Sequence, residues 1–142
     1  MKLLFELSGE HPDLPVAELE CVGTVLDRRT QVAIAECPDP GAVGRLALTH
    51  VVMEYLGECE PSKEGLTGLL RDLAIRTEKP FAGRVKLIQG ARMDLARLEV
   101  EKLIGGLVAG PVSLRDPVEE YRAVVSDDRC YFGRVIARID RG

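Results

Sequence analysis

The sequence predicts an α+β sandwich, and three observations carry that prediction. Segments of alternating polarity, suited to pleated strands, are interleaved with segments whose apolar residues recur every three or four positions, suited to helices. Two strand-like runs close the chain around Asp127 and Asp128, a separation that fits a tight antiparallel turn. Finally, 142 residues with 46% hydrophobic and 30% charged side chains suffice for one packed interior of ordinary size, or for two small ones sharing a core.

Residues 2 to 8 read as a first strand, and Gly9 to Pro12 as a turn. Asp13 is placed to cap a short helix with Pro15 in its first turn; Leu14, Ala17 and Cys21 fall on one face, and Gly23 ends it. Residues 30 to 36 form a second strand, extended backwards through Val25 and Leu26 past a turn near Asp27 to Arg29. Pro38 to Gly41 break the chain. Leu48, Val51, Val52, Tyr55 and Leu56 then sit at spacings of three and four, which predicts a second helix.

Gly57 to Pro61 marks a junction, because composition turns from acidic to basic there. Ser62 caps the next helix, whose stripe is Leu66, Leu69, Leu70 and Leu73, with Arg71 and Arg76 on the wet side. A strand follows over residues 81 to 88. A helix from about Ala91 to Val108 buries Ala96, Val100, Leu103, Ile104 and Leu107, and Gly110 with Pro111 stop it. Residues 112 to 114, 119 to 126 and 130 to 139 complete a β portion. The order predicts a ferredoxin-like first half, residues 1–60, and a second sheet with helices on one face, residues 61–142.

No apolar run approaches the ~20 residues that cross a bilayer, and Glu6 interrupts the start too early for a signal-peptide core, so a cytoplasmic location is expected. Cys21, Cys37, Cys59 and Cys130 lack the close spacing of metal knuckles or redox motifs. They read as reduced, mostly buried thiols, with Cys37 beside Pro38 and Cys59 in an acidic loop as the exposed ones. His11 and His50 have no partner at metal-ligand spacing, Ser8, His11 and Asp13 have no triad geometry, and no carboxylate pair stands out as an acid/base couple. Gly105, Gly106 and Gly110 end a helix rather than begin one, which excludes a dinucleotide or phosphate loop. Neither a metal nor an organic cofactor is implied.

The net charge of −4 hides an asymmetry. Residues 1 to 60 carry 4 basic and 11 acidic side chains, whereas residues 61 to 142 carry 15 and 12. A phosphate backbone responds to a local cationic patch, because salt screens charges beyond ~10 Å. Strand alternation projects Arg84 and Lys86 to one side and Phe81, Val85 and Leu87 to the other. The same alternation also fits a merely solvated edge. Arg134 and Arg138 share a strand face with Phe132 and Ile136; if the last strand lies beside residues 81 to 88, four cations line one surface, with Arg92 and Arg97 adjoining. Such groups suit phosphate contact. Three Phe, three Tyr and no Trp leave little for base stacking, and Phe81 and Tyr131 read as core.

Nearly the whole chain resembles the N-terminal region of archaeal and eukaryotic tRNA (guanine-10-N2) methyltransferases, in which a ferredoxin-like piece precedes a THUMP domain. The resemblance lies in Leu4 to Pro12 with Leu14 to Glu20, in Phe81-Ala82-Gly83-Arg84-Val85-Lys86, in Leu103 to Val108, in Val112 to Pro117 and in Val135 to Arg141. It implies binding of structured tRNA, with Arg84 and Lys86 on the basic strand and Arg92, Arg97, Arg115, Arg134 and Arg138 as further contacts. It also implies a methyltransferase partner, in cis or in trans. The chain has neither a Gly-rich S-adenosylmethionine loop nor an Asp/Asn-Pro-Pro-Tyr/Phe motif, so no methyl transfer is expected from it alone. Two other readings stay open from the residues. In one, the acidic first half, with Glu18, Glu20, Glu54, Glu58 and Glu60, docks a basic protein; in the other, a small enzyme site lies outside known motifs.

Overall fold

A computed structural model describes residues 1–10 and 13–139. Its seven strands form a mixed sheet in the order β2-β3-β1-β4-β7-β6-β5, with three α-helices, so the α+β class is borne out. The chain divides into two compact units, Met1–Tyr55 with the chain from Val135, and Leu56–Arg134.

The first unit contains β1 (Lys2–Leu7), α1 (Leu14–Glu20), β2 (Thr24–Arg29), β3 (Val32–Glu36), a 3-10 turn (Pro40–Arg45) and the start of β4 (Thr49–Cys59). β1 lies between β3 and β4 and is antiparallel to both, pairing Leu4 with Ile34 and Phe5 with Val52. β2 closes onto β3, so the order β2-β3-β1-β4 is that of a ferredoxin-like sheet with a 3-10 turn in place of the second helix. Leu3, Phe5 and Leu7 alternate onto one face and pack with Val16 and Leu19 of α1.

The second unit contains α2 (Lys63–Leu73), β5 (Phe81–Leu87), α3 (Arg97–Leu107), β6 (Glu119–Ser126) and much of β7 (Arg129–Arg138). α2 begins as expected, with the Gly65 amide donating to Ser62 Oγ at 3.0 Å. β5 and β6 are parallel, which requires a crossover, and α3 supplies it. β6 returns through Asp127, at φ 54°, into antiparallel β7. Leu66, Leu70, Phe81, Val85, Val100, Ile104, Tyr121 and Phe132 form the core, in which Phe81 meets Tyr121 edge-on at 5.7 Å.

Gly83 fixes how closely α3 approaches: a Cβ there would sit 2.8 Å from Cβ and Cγ2 of Ile104. Gly83→Ala is therefore expected to cost about 1–3 kcal/mol by overpacking, read as a lowered urea midpoint. A change within measurement error would show that the helix slides off at no cost.

Several elements differ from expectation. The helix predicted around Leu48 to Leu56 is strand β4, and His50 lies in it. Thr49, Val51 and Val52 are β-branched and satisfy a half-buried pleat as well as they satisfy helical spacing. The β2–β3 turn falls at Thr30 and Gln31, with Gln31 at φ 57°, instead of at residues 27 to 29. α1 buries Pro15, Val16 and Leu19, and leaves Leu14 and Cys21 exposed. Asp13 makes no side-chain cap and instead lies 3.4 Å from Arg28. α3 starts at Arg97, since Ala96 is extended at ψ 152° and is exposed. Residues 112 to 114 form only a single bridge, from Val112 to Phe81. Cys37 is buried and Cys59 belongs to β4. His11 and Pro12, at the expected first turn, and Arg141 lie outside the described residues. Among the described residues no helix is long and apolar enough to cross a membrane.

Candidate nucleic-acid interface

Because Gly83 faces Ile104, the alternation of β5 turns Arg84 and Lys86 away from α3. The strand beside β5 is β6, not β7, and its register puts Arg122 next to Arg84. Arg122 is only 14% exposed and is held by Glu120 at 3.2 Å. Arg84 is half-buried, and its Nη1 donates to the neighbouring Gly83 carbonyl at 3.3 Å. Lys86 is exposed, with no carboxylate partner among the described residues.

Arg134 lies elsewhere. Its register partner is Tyr121, a core residue on the α3 face, so Arg134 projects to the side opposite Arg84. Its Nη1 is 3.9 Å from Glu119 Oε2. Within the second unit Arg84 and Lys86 therefore do not share a face with Arg134, because β6 intervenes and pleating reverses Arg134; Arg138 belongs to the first unit. Arg97 is exposed but lies 3.6 Å from Glu101, one helical turn on. Arg92 and Arg115 are exposed and make no ion pair among the described residues.

A second group of cations gathers where α2 and α3 end. α2 stops at Ala74, which adopts a left-handed conformation at φ 47° while its amide donates to the Leu70 carbonyl. Beyond that turn Arg76 lines the same hollow as Arg71. Two stretches then zip together, the Ala109 amide donating to the Ile75 carbonyl and the Thr77 amide to the Ala109 carbonyl, both at 2.9 Å. Gly110 permits it, since a Cβ there would lie 2.5 Å from the Thr77 carbonyl oxygen. The result is a hollow of about 260 Å³ with Arg71 and Arg76 at its rim and Leu70, Ile75 and Leu107 among its walls. A neighbouring hollow of about 440 Å³ is lined by Arg76, Thr77, Glu78 and Ala109.

Lys79 follows directly, and the loop carrying Arg115 is tied to the start of β5 by Ser113 to Phe81 at 2.8 Å and Val118 to Pro80 at 2.7 Å. Arg71, Arg76, Lys79 and Arg115 are all exposed, and none makes an ion pair among the described residues. Open guanidinium groups over an apolar floor can take a phosphate on the charge and a flat base or sugar against the floor. Of these four, sequence reasoning identified only Arg115. The clue for Arg71 and Arg76 was their i, i+5 spacing across a helix end, which has meaning only once the left-handed turn is known. At the opposite end of the helices, Lys63 and Lys102 share a hollow of about 320 Å³ with Glu99, whose charge offsets one of theirs. Among the described residues no cluster of His, Cys, Asp and Glu could hold a metal.

No protein-family model and no curated protein matches this sequence. Solved structures do. TrmN from Thermus thermophilus aligns over 98% of this chain and 46% of its own, at 20% identity and a TM-score of 0.66. A possible methylase from Clostridium difficile 630 aligns over 94% and 40%, at 11% identity and 0.68. A 4-thiouridine synthetase in complex with RNA and ATP aligns over 98% and 41%, at 10% identity and 0.61. The chain therefore spans less than half the length of each of these three. At these identities the likeness shows the fold alone, a mixed sheet with helices in an α+β arrangement.

Proposed function

We propose that this chain is a tRNA-binding module that docks structured tRNA for a methyltransferase domain or subunit, without catalysing methyl transfer itself. In this reading residues 1–60 form the ferredoxin-like region and residues 61–142 the THUMP-type domain. The observation that carries it is the set of four open cations, Arg71, Arg76, Lys79 and Arg115, at one end of the second unit of an acidic protein. Lys86 on β5 and Arg92 in the loop that follows it add to the contact. Arg84, half-buried, and Arg97 and Arg134, each beside a glutamate, contribute less. The fold shared with a synthetase seen in complex with RNA supports the same reading, as does the resemblance to tRNA methyltransferases.

Grip through phosphates predicts a steep salt dependence. Four contacts give a slope of log K against log salt of roughly −3 to −4, whether the phosphates belong to single or paired strands. Filter binding of tRNA over a salt series measures it. A flat slope, or equal affinity for a neutral polymer, would overturn the proposal. Incubation of the purified chain with tRNA and S-adenosylmethionine is expected to transfer no methyl group.

A further inference from the structure

The cysteines of β4 and β7 meet in the fold, although the sequence places them far apart. The His50 carbonyl accepts from the Ile139 amide at 3.0 Å, and Glu58 takes the Arg129 guanidinium at 2.7 Å. Residue numbers therefore fall along one strand as they rise along the other, and Cys59 comes opposite Cys130. Directly opposed residues of an antiparallel pair have Cβ atoms ~4.5–5.5 Å apart, close to the reach of a disulfide. Both side chains face the same core, Cys130 within it and Cys59 packed against it, and each shifts the other's pKa. Cys130 is fully buried in the core of the second unit, whereas Cys59 is partly exposed at its margin.

We propose that Cys59 and Cys130 are an oxidisable dithiol, with Cys59 the attacking sulfur and Cys130 the resolving one, that closes to a disulfide tying β4 to β7. The polarity follows from the contact. The Cys130 side chain holds the Cys59 thiol below its ordinary pKa against the opposing effect of burial; Arg129 assists, while Glu58 and Glu60 oppose. Cys59 in turn, then burial, pushes Cys130 up, so it keeps its proton until its partner has reacted. With a low-molecular-weight disulfide RSSR as oxidant, the Cys59 thiolate attacks one sulfur and expels RS⁻, which takes up a proton as RSH. Cys130 then loses its proton and attacks the Cys59 sulfur, expelling the second RS⁻ as RSH. Both protein thiols are oxidised and one RSSR is reduced. Cys21 and Cys37 provide contrasts within the same chain, the first exposed and the second buried with its pKa raised by that burial.

Titrating the full chain with oxidised and reduced glutathione at graded ratios, then alkylating, digesting and weighing the peptides, tests the proposal. The expected product is a Cys59–Cys130 linked peptide pair that appears at oxidant ratios where Cys37 is still reduced, and that dithiothreitol reverses. The Cys130→Ser variant is expected to retain glutathione on Cys59, because its resolving sulfur is gone. Cys59→Ser is expected to leave Cys130 unmodified. Should Cys130→Ser fail to fold, Cys130→Ala replaces it, and the wild-type linkage result stands independently of either. Glutathionylated Cys21 without any Cys59–Cys130 link, at every ratio, would overturn the inference.

Discussion

Replacing Arg71 and Arg76 together by alanine is expected to raise the Kd for tRNA by roughly 100-fold at low salt, about tenfold for each lost charge-assisted phosphate contact. The salt slope should flatten by about 2, near 0.9 for each cation removed. Both side chains are exposed at the end of α2 and α3 and neither is engaged by a carboxylate among the described residues, so their removal breaks no ion pair there. Arg97→Ala is the internal control. Its guanidinium already lies 3.6 Å from Glu101, and deleting it should change affinity far less. Filter binding of the three proteins over the same salt series separates the cases. Equal losses in both variants would mean that net charge, rather than this end of the unit, governs binding.

The largest expected loss of stability comes from Phe81→Ala, at about 3–5 kcal/mol. Phe81 is fully buried, meets Tyr121 edge-on, and begins the strand on which both α3 and β6 are assembled. Tyr121 in turn stacks on Phe132 at 6.2 Å, so the missing ring opens a cavity at the end of an aromatic row. Since domains have only ~5–15 kcal/mol to lose, such a variant should sit near the edge of folding at 37 °C. Urea denaturation with an unchanged m-value reads the loss. A loss below about 1 kcal/mol would mean that the core collapses around the gap.

The second unit was largely legible in the sequence. Ser62 announced α2, the alternation from Phe81 to Leu87 announced β5, and the Asp127-Asp128 turn announced the hairpin of β6 and β7. The helix expected around Leu48 to Leu56 failed because its apolar residues fit both periods, and β-branching at Thr49, Val51 and Val52 decided for the strand. Register was beyond reach for the same physical reason that makes strands pair non-locally. Nothing near Arg84 in sequence says that Arg122 lies beside it, or that β6 separates β5 from β7. The proposed site suffered most. Arg84 and Lys86 were visible as an alternation, whereas Arg71 and Arg76 depend on the left-handed turn at Ala74, an unusual conformation for alanine. Cys59 and Cys130 were likewise invisible as a pair, since strand pairing alone brings them together.

Ultraviolet crosslinking of unmodified tRNA to the wild-type chain, with the linked peptides mapped by mass spectrometry, tests the central claim most directly. Crosslinks are expected in the segment from Arg71 to Lys79 and in the loop carrying Arg115, fading as salt rises. Crosslinks confined to residues 1–55 of the acidic first unit, or none in those two segments under conditions where tRNA is bound, would contradict it.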